Sequence, residues 1–282
     1  MNTQTEKLRQ IAQKLLADGT VQTVIGYVDE GEIGVAIPIF ISDASDAERL
    51  VWNDHCIPNL SSYLLNCKGK TAITAKPCDV RAIVNLIVEK QISRDDVYVI
   101  GLDCPGMKSD DEKLLPACLE CKINIPPIFD EHIENPDAKT KKTEASQASA
   151  DLNGSLERFV SEMEKCILCF SCRQACYGCY CQTCFMDRGV PDWQPTDPDI
   201  NAKMMYHLGR AMHLAGRCVE CGSCENTCAS GVNIRYIISE ITDFVEELYD
   251  FKTGLSLDET PAMLRYETDD EEVGFVGGDG HE

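Results

Sequence analysis

Apolar residues recur at helical spacing over Leu8 to Ala17, with Leu8, Ile11, Ala12, Leu15 and Leu16 on one face. Val21 to Tyr27 and Val35 to Ile41 are rich in β-branched residues and read as strands. Asp46 to Val51 and Leu60 to Leu65 read as short helices. Thr71 to Ala75 predicts a strand, Val80 to Glu89 an apolar helix, and Val97 to Leu102 another strand. Strand, helix and strand within 32 residues make a βαβ unit, whose two strands should be parallel. Residues 1–134 are therefore expected to form an α/β domain.

The pattern then breaks. From Asn135 to Gly154 apolar content collapses into small and charged residues, so 135–156 reads as a linker. Helical patterning returns over 157–250, with segments at Asn201 to Leu214 and Asn233 to Tyr249. Residues 251–282 are expected as a tail, acidic and glycine-rich from Asp269 onward. A length of 282 residues suits two modest domains.

Composition changes the picture at one residue type. Seventeen cysteines far exceed what packing needs, which leaves disulfides, zinc or iron–sulfur. The first ten residues show no basic stretch followed by an apolar one. The longest apolar run, Gly34 to Ile41, is broken by Pro38, so no bilayer span is expected. A cytoplasmic location follows, where thiols stay reduced and free to bind metal. The odd count also argues against a complete disulfide framework. A net charge of −21 disfavours nucleic acid and anionic membranes. It leaves open a solvated acidic surface or a basic partner.

Two cysteine runs share one spacing, C-x2-C-x2-C-x3-C: Cys166, Cys169, Cys172, Cys176, and Cys218, Cys221, Cys224, Cys228. Three thiolates two residues apart can wrap onto three corners of a 4Fe–4S cube, while the fourth leads away to the other cube. Cluster one is thus expected on Cys166, Cys169, Cys172 and Cys228, and cluster two on Cys218, Cys221, Cys224 and Cys176. Zinc usually takes a two-plus-two knuckle, which this spacing is not. Between the runs lie Cys179, Cys181 and Cys184. They could bind a metal, complete a cluster, tune its potential or simply pack.

The fourth cysteine of such a run is usually followed by Pro, but here by Tyr177 and Ala229. The long interval from Cys176 to Cys218 carries a predicted helix rather than a hairpin. Residues 157–248, and Arg217 to Glu225 above all, resemble the all-helical two-cluster ferredoxin domain of heterodisulfide reductase C subunits and succinate dehydrogenase iron–sulfur subunits. The resemblance implies an electron carrier.

In the first half, Cys78 follows one strand of the βαβ unit and Cys104 follows the other. Parallel strands end on one sheet edge, where α/β folds place ligands. With Cys118 and Cys121 they make four thiolates, enough for a third 4Fe–4S cluster. Asp79 reads as an N-cap for the next helix. Lys76-Pro77-Cys78, Ile100 to Cys104, Cys118 to Cys121, Pro126, Asp130 and Thr20 to Gly26 resemble the β-subunit family of deazaflavin-reducing hydrogenases and formate dehydrogenases. The resemblance covers about residues 5–134. It implies the third cluster, other redox subunits as partners and, in deazaflavin-reducing members, FAD. The chain itself carries no G-x-G-x-x-G.

The remaining candidates read mostly as structure. Cys56, Cys67, Trp52 and His55 are expected in packing. Met204, Met205 and Met212 suit a core or a partner groove. His207 and His213 have no ligand partner at i+4. Lys76 and Arg81 are either solvated or offset cluster charge. No Ser/His/Asp set, P-loop or paired-carboxylate pattern occurs. Three readings stand: an iron–sulfur electron-transfer subunit of a hydrogenase, formate dehydrogenase or heterodisulfide-reductase-like complex, with no substrate site of its own; a flavin-containing β subunit acting on a deazaflavin or nicotinamide; or a mainly structural zinc protein.

Overall fold

A computed structural model of the chain describes residues 2–29, 35–140, 152–184 and 198–265. The first half is built on a five-stranded sheet in the order β2-β1-β3-β4-β5. Its strands are β1 (Thr23–Val28), β2 (Ile37–Ile41), β3 (Thr71–Ala75), β4 (Val97–Leu102) and β5 (Glu131–Ile133). Neighbours run parallel except β2, an antiparallel edge strand. A strand covered on both faces needs a continuous apolar run. That is how β3 and β4 read, and β3 is buried at every position.

Helix α1 (Thr3–Ala17) buries Leu8, Ala12 and Leu15, and the Asn2 side chain caps it by accepting from the Gln4 N–H at 3.1 Å. Helix α2 (Pro77–Val88) follows β3 directly. Proline suits its first position, where the missing N–H would have no helical partner. Asp79 is the third residue of this helix rather than its cap. Its carboxylate accepts the N–H of Lys76, the capping position, at 3.2 Å.

Two expected short helices are 3-10 turns instead, at Ala44–Arg49 and Ser61–Asn66. Six residues cannot repay the cost of nucleating an α-helix. Helix α3 (Pro116–Glu120) and β5 are too short to leave a periodic trace.

The second half holds α4 (Leu152–Lys165), α5 (Ser171–Gln174), α6 (Ile200–His213), α7 (Ser223–Asn226) and α8 (Arg235–Tyr249), and no strand among the described residues. α4 begins inside the segment expected as linker. Residues 141–151 of that segment lie outside the described residues. α6 packs against both α4 and α8, around Phe159, Met163, Tyr206, Leu214, Ile234 and Ile238.

Side chains from each half bind the other. Arg81, buried on α2, donates through Nη1 to Val219 O at 3.0 Å and through Nε to Thr253 O at 2.9 Å. Glu89 pairs with Arg217 at 2.6 Å and accepts from Tyr180 at 2.8 Å. Arg235 of α8 pairs with Glu120 of α3 at 2.7 Å. Tyr177, standing where proline is usual, is buried against Ala82, Leu86 and Val219, and its hydroxyl donates to Arg217 O.

The first residues of the expected tail lie on the body, with Phe251 and Thr253 buried. Residues 266–282, with the acidic glycine-rich stretch, lie outside the described residues. Among the described residues no helix is long and apolar enough to cross a membrane.

Gly254 makes this return possible. Its φ is +80°, and a Cβ there would strike the backbone carbonyl of Arg81. Gly19 has a similar φ of +67° but open space around it. Left-handed backbone costs a Cβ-bearing residue about 1–2 kcal/mol. Gly19→Ala should lose about that much, and Gly254→Ala clearly more, in urea unfolding. Equal losses would mean that the close approach at Arg81 does not exist.

Candidate metal centres

The two cysteine runs fold into the same loop. Residues at matching positions take left-handed backbone: Leu168 (φ 52°) and Phe170 (61°) in the first, Glu220 (58°) and Gly222 (73°) in the second. Three of these four are not glycine, and such strain persists only where the surroundings demand it. The hydrogen bonds match as well. Leu168 N donates to Cys166 Sγ and Glu220 N to Cys218 Sγ, each at 3.3 Å. Cys169 Sγ lies 3.5 Å from Ser171 Oγ, and Cys221 Sγ 3.4 Å from Ser223 Oγ. After each loop comes one short helix, α5 or α7, and these two helices pack together. That contact carries each fourth cysteine across to the other run. Cys228 lies within electrostatic reach of Cys166 and Cys172, and Cys176 of Cys218, Cys221 and Cys224.

A third group forms at the sheet edge. β3 and β4 end side by side, so Cys78, early in α2, and Cys104, just past β4, come together. Cys104 in turn feels Cys118 and Cys121. Met107 N donates to Cys118 Sγ at 3.3 Å. Cys78 also lies within electrostatic reach of Cys221. The three groups therefore follow one another, the Cys218 group in the middle.

Burial pushes the thiols of Cys104 and Cys224 up to about 12 and that of Cys218 well above its ordinary value. Contact with Cys179 and burial do the same to Cys176. Such thiols stay protonated until a cation displaces the proton. Thiols lying near one another, with backbone N–H groups aimed at sulfur, are a donor set of the kind that holds iron–sulfur clusters. Zinc also takes thiolates, at about 2.3 Å. Among the described residues no three His, Cys, Asp or Glu side chains are placed to hold a metal ion as they stand.

Cys179, Cys181 and Cys184 border a cavity of about 40 Å³ together with Arg173, Arg210 and His213. Cys179 lies against Cys176, and that contact holds its thiol down at about 7. Cys56 is buried in the sheet core and Cys67 packs at its margin. Trp52 is core as well, while His55 is half-buried with Glu112 at 3.4 Å.

Two residues have roles that ligand spacing does not reveal. His207 Nε2 lies 3.2 Å from Cys166 Sγ, and Arg210 donates to Cys172 O at 3.0 Å. Three positions apart, they share one face of α6. That shared face, on a helix between two cysteine runs, is the one trace they leave in the sequence. Met205 and Met212 of the same helix are exposed. Burial and Arg210 hold the His207 imidazole down at about 4, so it is neutral beside Cys166.

A larger cavity, about 660 Å³, opens where the halves meet, bordered by Tyr63, Asp110, Asp111, Gln174, Ser223 and Asn226 among others. Its lining holds two carboxylates and no lysine or arginine. That charge does not fit the diphosphate of FAD.

No family model matches the chain. It is similar to the F420-dependent formate dehydrogenase subunit beta of Methanocaldococcus jannaschii. The two are 21% identical over 337 aligned positions, covering 83% of this chain and 86% of the relative. It is also similar to F420-dependent formate dehydrogenase 1 subunit beta of Methanococcus maripaludis. There the identity is 37% over 97 positions, covering 33% of this chain and 24% of the relative.

Beside Cys78 lies an ion pair buried on both sides. Lys76, 3% exposed, meets Asp79 at 2.9 Å and donates to Tyr27 OH and Pro58 O, each at 2.7 Å. Burial works against the ammonium, but Asp79 and Tyr27 outweigh it and hold Lys76 above its ordinary value. Removing one partner of such a pair costs about 3–5 kcal/mol, because the other charge is left buried. Lys76→Met should lose that much stability in urea at matched metal content. A loss under about 1 kcal/mol, the range of a solvated pair, would rule out a closed site.

Proposed function

We propose that this chain is an iron–sulfur electron-transfer subunit of a multi-subunit oxidoreductase of the formate dehydrogenase kind. In this reading Cys166, Cys169, Cys172 and Cys228 hold one 4Fe–4S cluster. Cys218, Cys221, Cys224 and Cys176 hold a second, in a helical two-cluster ferredoxin-type domain. Cys78, Cys104, Cys118 and Cys121 hold a third, on the α/β half. Each cluster, when bound, takes up and returns one electron. The observation that carries the reading is the duplicated loop. Two segments 52 residues apart share their strained backbone and their N–H to sulfur bonds, and each sends its last cysteine to the other. A packing role would not repeat that geometry.

The chain's own residues supply the surroundings. Leu168, Glu220 and Met107 aim backbone N–H groups at sulfur, and Val232 N does so toward Cys228 at 3.4 Å. Such bonds stabilise added negative charge and so raise potential. Partners are other redox subunits, in keeping with relatives that are β subunits of a formate dehydrogenase.

The F420-dependent names of the relatives favour one further reading. There the chain itself exchanges electrons with a deazaflavin through a bound flavin. The acidic cavity of about 660 Å³ does not suit a flavin diphosphate, whereas cavities of about 640 and 590 Å³ are bordered by Lys7 and by Lys90 and Arg94. Flavin extraction with fluorescence detection separates the two readings: bound flavin supports this one, and its absence the first.

Purified without oxygen, the chain should carry about twelve irons and as much acid-labile sulfide. Cys78→Ala should lower both toward about eight. A wild-type chain near eight that Cys78→Ala leaves unchanged would remove the third cluster. Colourless, iron-free protein would remove the whole reading.

A further inference from the structure

Helix α6 runs beside both cysteine runs and brings one cation between them, Arg210. Its side chain is only 5% exposed. Nη2 donates to the Cys172 carbonyl, whereas Nε and Nη1 meet no hydrogen-bond partner among the described residues. Of the other buried cations, Lys76 has Asp79 and Arg235 has both Glu120 and Glu225, whereas Arg81 binds the backbone carbonyls of Val219 and Thr253. The groups whose charges bear most on Arg210 are sulfurs: Cys176, Cys224, Cys179 and Cys172. Cys172 belongs to the first thiol set, Cys176 and Cys224 to the second. The guanidinium thus stands between the two sets.

A guanidinium cannot shed its charge in a protein. Buried without a carboxylate partner it costs several kcal/mol, and negative charge on the surrounding sulfurs, Cys179 beside it included, offsets that cost. We infer that Arg210 is a fixed counter-charge shared by the first two clusters, and that it sets the potentials of both. The inference rests on the proposed function.

The direction follows from electrostatics. A reduced site carries one more negative charge than an oxidised one, so a nearby cation favours reduction and raises potential. One cation between two sites moves both potentials the same way. At this burial the effect is strong and bulk salt hardly screens it. Arg210 touches the ligands' surroundings rather than a transferred group, so it is a positioning residue.

The contrast is between Arg210→Gln, which removes the charge, and Arg210→Lys, which keeps it without the planar fork. Both would be made in the full chain, purified without oxygen and counted for iron before a redox titration followed by electron paramagnetic resonance. Iron-free wild-type protein would sink the proposed function at the first step, before any potential is read. With iron present, Arg210→Gln should shift the reduced-to-oxidised ratio of both clusters at least tenfold toward oxidised at fixed poise. That is 59 mV for a one-electron couple. Arg210→Lys should stay within a few-fold of wild type. Loss of iron in the glutamine variant alone, with the lysine variant full and at wild-type potentials, would also support the charge. Unchanged potentials in the glutamine variant, equal shifts in both variants, or failure of both to hold iron would each overturn the inference.

Discussion

A thiolate buried beside other thiolates suffers twice, through desolvation and through repulsion. The architecture answers both problems within a short radius. Loop backbone bends into left-handed conformations that turn N–H groups onto Cys166 and Cys218. α6 adds a neutral imidazole at Cys166 and a permanent cation at Cys172. At the sheet edge, Lys76 and the first turn of α2 stand beside Cys78. At Cys78 the charge of Asp79 outweighs that of Lys76, so there the positive device is offset, whereas at the two cysteine runs the neighbours supply donors and the Arg210 charge.

That need also explains why the halves are not independent. Cys78 belongs to α2 and Cys221 to the second run, yet they lie within electrostatic reach of each other. Such closeness requires a tight seam, and the seam is polar as well as apolar. Arg81, Glu89 and Glu120 reach across from one side, Arg217 and Arg235 from the other. Tyr177 fills the apolar part. The residue that departs from the usual proline after a fourth cysteine is thus an anchor of the seam.

Much of this was legible in the sequence, for identifiable reasons. β3, α2 and β4 each present an uninterrupted apolar or β-branched run, and their boundaries fall within a few residues of the expected ones. The two cysteine runs announce themselves because spacing is repeated. The 3-10 turns read as helices in the sequence, since a six-residue apolar pattern does not distinguish the two. β5 passed unnoticed because three residues carry no period. His207 and Arg210 leave only a shared helical face in the sequence, for a different reason. One imidazole and one guanidinium on a helix mean nothing until the fold says what lies opposite them. Similarly, nothing local in Phe251 to Gly254 indicates that these residues return to α2.

That return has a consequence for how the molecule is made. Arg81, from the first third of the chain, is satisfied partly by the carbonyl of Thr253, and Gly254 lies directly on Arg81. A nascent chain emerging from the ribosome exposes its α/β half early, but the strap over α2 cannot close until residues 251–254 have been translated, after both cysteine runs. Until then Arg81 lacks the carbonyl of Thr253, and the seam between the halves stays open on that side for most of synthesis.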